Sequence, residues 1–244
     1  GGRVDIVCAV PDGGNPESYD LPPSAMVGLS KCRLYFSCGY LGFERSWLGK
    51  LSENNPRLQV VDLSEGLELL YGTHHHEEGH LHDGEAYPDP HIWCSPRLAR
   101  RMVETMYRAL TEIDPDGASV YAENYARIDR RFAQLDSVLT DKLRPFKGKV
   151  FAVYHPTLSY WAADYGLRQL ALEPDGKSPS PQYLRAMVDS ARHVGVEVVF
   201  IQQEFDPRQA ETFAREVGCR TEIINPLAYT WSEEIMRIAD AFIR

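Results

Sequence analysis

Short apolar runs alternate along the chain with longer stretches whose apolar positions recur every three or four residues. Runs of the first kind fall at residues 4–10, 33–38, 58–61, 149–154, 168–172, 196–201 and 221–224. Their length, Val/Ile content and flanking turn residues predict strands. Helical pattern fills many of the gaps. One helix is expected from Ser95 to about residue 113, with Ser95 as N-cap and Pro96 at the first helical position. Ser180-Pro181 opens another, to about residue 193, by the same logic. This alternation predicts an α/β protein with mostly parallel sheets.

The longest periodic segment is residues 118–144. Tyr121, Tyr125, Ile128, Phe132, Leu135 and Leu139 form one continuous stripe in steps of four and three. Gly117 precedes it and Pro145 stops it. At 1.5 Å per residue the helix would be roughly 40 Å long, about the diameter of a whole lobe. The expected organisation is therefore an N-terminal lobe (1–115), a linking helix (116–147) and a C-terminal lobe (148–244). A long helix lying across a single sheet is the less favoured arrangement.

In open α/β sheets, ligands bind at the carboxyl ends of strands. Here the run 4–10 leads into Pro11-Asp12-Gly13-Gly14-Asn15-Pro16-Glu17, and the run 149–154 delivers His155-Pro156. The run 196–201 delivers Gln202-Gln203-Glu204, and Ile223-Ile224 delivers Asn225-Pro226. Several expected strand ends thus carry groups able to hold a cation or a polar ligand.

Composition narrows the classes. Of 244 residues, 43% are hydrophobic and 25% charged, which is ordinary globular material. No stretch reaches the roughly 18 apolar residues of a membrane span. Lys+Arg 26 against Asp+Glu 35 gives a net charge of -9, which disfavours nucleic acid and suits cations. Cys8, Cys32, Cys38, Cys94 and Cys219 are widely separated and form no CxxC pair, so neither a Cys-rich zinc module nor a dense disulfide scaffold is expected. The chain opens Gly1-Gly2-Arg3-Val4 without Met, which reads as a processed or trimmed product.

Histidines are unevenly spread. Five of the eight, His74, His75, His76, His80 and His82, fall between Thr73 and Asp83 and alternate with carboxylates. Imidazole and carboxylate are common ligands for zinc and its neighbours, but the run has few side chains to pack. It reads as a loop that collects metal loosely. His76-Glu77-Glu78-Gly79-His80 also fits the H-E-x-x-H pattern of zinc peptidases, with Glu77 as the general base. Gly79 lies inside that motif and no amphipathic helix surrounds it, so the peptidase is a disfavoured alternative. His91, in Asp89-Pro90-His91-Ile92-Trp93, occupies an ordered-looking turn just before the Ser95 helix. His155, at a strand's carboxyl end, is placed to face a cleft. His193 sits near a helix C-terminus, where the dipole favours an imidazolium, and is not expected to be a ligand. Cys94 reads as a buried, apolar-type cysteine.

These residues carry a resemblance that spans nearly the whole chain. The features, in order, are Pro11-Asp12-Gly13-Gly14, Pro16 with Tyr19, Gly42-Phe43-Glu44 with Trp47-Leu48, and Asp62-Leu63-Ser64-Glu65-Gly66. The His-rich run, Asp89-Pro90-His91-Ile92-Trp93, Tyr154-His155-Pro156 with Tyr160 and Tyr165-Gly166 follow. Ser178-Pro179-Ser180-Pro181 and Asn225-Pro226-Leu227 close the set. In this combination the chain resembles the solute-binding proteins of metal-uptake ABC importers, in the zinc (ZnuA/TroA-like) branch. The resemblance implies two α/β lobes joined by one long helix, with a metal ion in the cleft between them. It implies an exported, periplasmic or cell-surface monomer that captures Zn2+ and delivers it to an ABC permease, and not an enzyme. Of the family's three histidine ligands, two positions match here, His91 and His155, and the first falls on Glu17. The family's aspartate falls on Asn225, a weaker ligand, so water or Glu204 would complete the shell. Glu17 also admits a manganese or iron receptor of the same fold as an alternative. Family members carry a strand and helix ahead of the strand expected at 4–10, so the first lobe is expected to lack them.

Overall fold

The computed structural model describes residues 2–11, 13–71, 88–173 and 179–244. The His-rich run, with His74, His75, His76, Glu77, His80 and His82, lies outside the described residues.

Two parallel sheets are present, one on each side of the long helix in chain order. Before it come α1 (Pro23–Leu29), β1 (Leu34–Ser37), α2 (Gly42–Asn54), β2 (Gln59–Asp62) and α3 (Pro96–Ile113). The long helix itself is α4 (Ala118–Leu143). After it follow β3 (Val150–Val153), α5 (Ser159–Tyr165), β4 (Arg168–Ala171), α6 (Pro181–Val194), β5 (Val198–Gln202), α7 (Arg208–Val217), β6 (Arg220–Ile224) and α8 (Trp231–Ile243). The α/β architecture with parallel pairing is the one expected from the alternating pattern.

The helix starts read from the sequence hold at the atomic level. Ser95 and Ser180 accept the amides of Leu98 (3.0 Å) and Tyr183 (3.2 Å), and Pro96 and Pro181 occupy the first helical positions. Each hydroxyl occupies an amide that the helix itself leaves unpaired. Helix α4 spans 26 residues, and Tyr121, Leu135 and Leu139 of its predicted stripe are buried.

The second sheet has the order β4-β3-β5-β6, all parallel. Its central strands β3 and β5 are buried at every position, as expected for a sheet covered on both faces. One cover joins Leu135, Leu139 and Leu143 of α4 to Phe151, Trp161, Phe200 and α8. The other packs Ala152, Val199 and Ile201 against Val188 and Ala191 of α6 and Phe213 of α7. Among the described residues the first sheet is the pair β1–β2, with a smaller core around Leu21, Leu29, Tyr35 and Leu51.

The expected strand at residues 4–10 does not form. The segment has no regular secondary structure and pairs with no strand among the described residues, and Val4, Ile6 and Val7 are 43%, 88% and 51% exposed. Apolar and β-branched composition supplies strand propensity, but a strand also needs a ladder partner and a face to bury. Instead Arg3 anchors the segment, donating to both carboxylate oxygens of Asp114 at 2.9 and 2.8 Å.

Candidate metal site

In the second sheet the chain runs from β3 outward to β4, then returns to place β5 on the other side of β3. The carboxyl ends of β3 and β5 therefore flank a topological switch point, where side chains can reach a ligand without meeting a crossover. His155 lies there, two residues past β3. Gln202, the last residue of β5, clamps its backbone: the amide nitrogen donates to the His155 carbonyl at 2.7 Å, and the amide oxygen accepts the His155 N–H at 3.4 Å. The imidazole stacks on Phe205 with centroids 5.1 Å apart.

The opposing donors come from turns. Asn15 accepts the Glu17 amide on its side-chain oxygen at 2.9 Å, closing a tight turn. Gly42 opens α2 beneath it, where a methyl group would lie 3.0 Å from the Glu17 carbonyl oxygen. His91 precedes a single 3-10 turn (Ile92–Cys94) whose Ile92 and Cys94 are fully buried, so the ring is carried on an anchored pivot.

These three residues converge. His91 Nε2 and His155 Nε2 are 3.2 Å apart. Glu17 Oε2 is 2.8 Å from His155 Nε2, and Glu17 Oε1 is 3.5 Å from His91 Nε2. Zinc–ligand bonds of 2.0–2.1 Å place tetrahedral ligands about 3.3–3.4 Å apart. The separation of the two Nε2 atoms is close to that edge length, and each Glu17 oxygen lies near one of the rings, so one small cation among them would be within reach of all three groups.

Each imidazole is oriented from behind by a carboxylate. Asp89 Oδ1 accepts His91 Nδ1 at 2.7 Å and the His91 amide at 2.9 Å. Glu173 Oε2 lies 2.5 Å from His155 Nδ1. Such pairs fix the tautomer that leaves Nε2 free for metal and raise the basicity of the ring. Burial disfavours the His155 imidazolium, but hydrogen bonds from Glu17 and Glu173 overcome it and raise its pKa to about 9. Burial likewise disfavours ionised Glu17, yet hydrogen bonding to His155 and the charge of His91 hold its pKa below the usual value.

Glu204 lines the same small cavity, of about 10 Å³, with Glu17, His91, Trp93 and His155. Its Oε2 is buried with no hydrogen-bond partner among the described residues, and burial raises its pKa. Asn225 is turned to local work. Its side-chain oxygen accepts the Leu227 amide at 3.2 Å, and its amide donates to Glu234 at 2.7 Å. Its neighbours Pro226 and Leu227 line the cavity instead. Glu173 was missed by sequence reasoning: it follows the run 168–172, and only the pairing of β4 with β3 sets it beside His155. Among the described residues, Glu17, His91 and His155 form the one cluster of three ligand groups with its donor atoms all within 4.8 Å of one another.

Fold and donor set together define a class: two parallel-sheet units around one long helix, with imidazole and carboxylate groups converging from both. Comparison with known proteins gives the family. The profile of the family "Zinc-uptake complex component A periplasmic" (ZnuA) matches residues 1–240, and the chain belongs to that family. It is 26% identical over 242 residues to the high-affinity zinc uptake system protein ZnuA of Bacillus subtilis, covering 96% of this chain and 74% of that protein. It is 28% identical over 201 residues to the zinc-binding lipoprotein AdcA of Streptococcus pneumoniae, covering 78% of this chain but only 39% of AdcA. A crystal structure of a ZnuA deletion mutant with zinc bound superposes with a TM-score of 0.85 at 32% identity, covering 96% of this chain and 86% of that one.

Proposed function

We propose that this protein binds one zinc ion between Glu17, His91 and His155 and delivers it, outside the cytoplasm, to the permease of an ABC importer. The carrying observation is the convergence of Glu17, His91 and His155, which each offer a ligand atom within 4.8 Å of the other two, with the two imidazole Nε2 atoms 3.2 Å apart, close to the edge of a zinc tetrahedron. Asp89 and Glu173 behind the rings support the same reading. Glu204 takes the fourth position, directly or through a metal-bound water, since it lines the same cavity and its Oε2 has no hydrogen-bond partner among the described residues. Asn225 is the weaker choice for that position, its oxygen being engaged by Leu227. Zinc is cargo here, and the protein performs no chemistry on it. The His-rich run, on this reading, gathers metal without holding it, and the protein acts as a monomer.

Titration calorimetry of the metal-free protein tests the assignment. One tight zinc site is expected, lost in His91→Ala and in His155→Ala, and wild-type affinity in both variants would refute it. Deleting residues 74–82 should spare the tight site. A peptidase built on His76, Glu77 and His80 would lose it. A second reading, manganese as cargo, draws on Glu17 and Glu204 as two oxygen donors. Competition between zinc and manganese for the metal-free protein separates the two.

A further inference from the structure

Tyr160 touches no donor atom, yet its hydroxyl ties the two halves together immediately behind one of the ligands. It belongs to α5, on the far side of α4 in the chain, and is 3% exposed. Its ring nevertheless packs in the cluster of Leu63, Ile92 and Met102, from the other half. There the hydroxyl donates to the Asp89 carbonyl at 2.7 Å and accepts the Leu70 amide at 3.1 Å. Those two segments are themselves paired: the Asp89 amide donates to the Leu70 carbonyl at 2.7 Å, and an antiparallel bridge joins Tyr71 to Pro88 just beyond. Asp89 is thus fixed at its N–H by Leu70 and at its carbonyl by Tyr160. Its side chain is then left to orient His91 through Oδ1.

Resting on the zinc-site reading above, we infer that Tyr160 is a positioning residue for His91, acting through Asp89 from the opposite half of the molecule. A carboxylate can hold an imidazole in one orientation only if its own backbone cannot turn. Removing the hydroxyl leaves the part-buried Asp89 carbonyl and Leu70 amide short of a partner, and both relax toward new ones. The Asp89 carboxylate then follows its backbone, and the His91 ring follows the carboxylate. Tyr160 also makes the geometry of His91 depend on how the two halves are docked, because the hydroxyl travels with α5.

Tyr160→Phe tests this, since it keeps the ring in its cluster and deletes one oxygen. In the full chain, zinc affinity should fall about tenfold, the lower end of the range for removing a partner that orients a ligand. The ligand-field spectrum of the cobalt(II)-loaded protein should change as well, which a loss of stability alone would not produce. The deciding measurement is a double-mutant cycle with Asp89→Ala, which removes the acceptor of both His91 bonds. If Tyr160 acts through Asp89, Tyr160→Phe adds almost nothing to the loss already caused by Asp89→Ala. Additive losses, an unchanged cobalt spectrum or wild-type zinc affinity in Tyr160→Phe would each overturn the inference. His91→Ala separates the two levels. If that variant keeps wild-type affinity, the zinc-site reading itself fails. If it loses zinc while Tyr160→Phe does not, only the role of Tyr160 fails.

Discussion

The two halves hold their candidate metal ligands by different means. After α4, a four-stranded sheet with fully buried central strands carries His155 at a strand end, and Gln202 of the adjacent strand fixes its backbone. Before α4, a two-stranded sheet with a largely exposed second strand cannot brace a site in that way. Glu17 and His91 are held instead by turns, side-chain-to-backbone bonds and contacts borrowed from the other half. Ser95 illustrates the borrowing: its hydroxyl caps α3 and also meets Asp164 of α5 at 2.5 Å. Rigidity comes from burial where the core is large, and from polar bonds of fixed geometry where it is small.

This contrast can be broken most severely in the larger core. Phe151 is fully buried, in edge contact with Trp161, Phe200 and Phe242. Phe151→Ala should lower the unfolding free energy by about 3–5 kcal/mol, measured by urea denaturation. Leu51→Ala, in the smaller core, should lose about 2–3 kcal/mol. Hydrogen exchange should show β1 and β2 opening before β3 and β5. Equal protection of the two sheets would remove the distinction.

Next in size are the ligands. His91→Ala and His155→Ala should each weaken zinc binding by more than about 100-fold, beyond the range for residues that only orient a ligand. Comparable losses would show that turn and strand end hold metal equally well. Glu173→Gln and Asp89→Asn should each cost about 10–100-fold.

Proton linkage is the finest probe. With a pKa of about 9 in the metal-free protein, His155 is protonated at pH 7, and zinc must displace that proton. Binding at pH 7 should release close to one proton from His155, visible as a dependence of calorimetric heat on buffer ionisation. Affinity should rise with pH up to about 9. Stability of the metal-free protein should run the opposite way. A folded pKa raised above the unfolded value of about 6.5 gives a contribution fully present below pH 6.5 and lost as pH rises through about 9. Glu173→Gln should flatten both profiles by removing one of the two carboxylates that hold the proton.

Much of this was legible along the chain. The period of α4, the caps at Ser95 and Ser180 and the strands after α4 depend on neighbours within a few residues, which sequence displays directly. The family resemblance was carried by short motifs in order, and the comparisons with known proteins gave the same family. The strand expected at residues 4–10 failed for the opposite reason: its pattern is local, but pairing requires a partner elsewhere. The role of Glu173 was hidden likewise, since only the pairing of β4 with β3 sets it beside His155.

The sequence by itself determined the α/β class, the long helix and the residue types able to hold a cation, because composition and periodicity are properties of the chain. Only the tertiary structure decided which of those residues meet. It brought ligand atoms of Glu17, His91 and His155 within 4.8 Å of one another, turned Asn225 toward its own loop, and set Tyr160 against the Asp89 carbonyl beside His91. Distances between residues remote in sequence are fixed by how sheets and helices pack, and no local pattern records them.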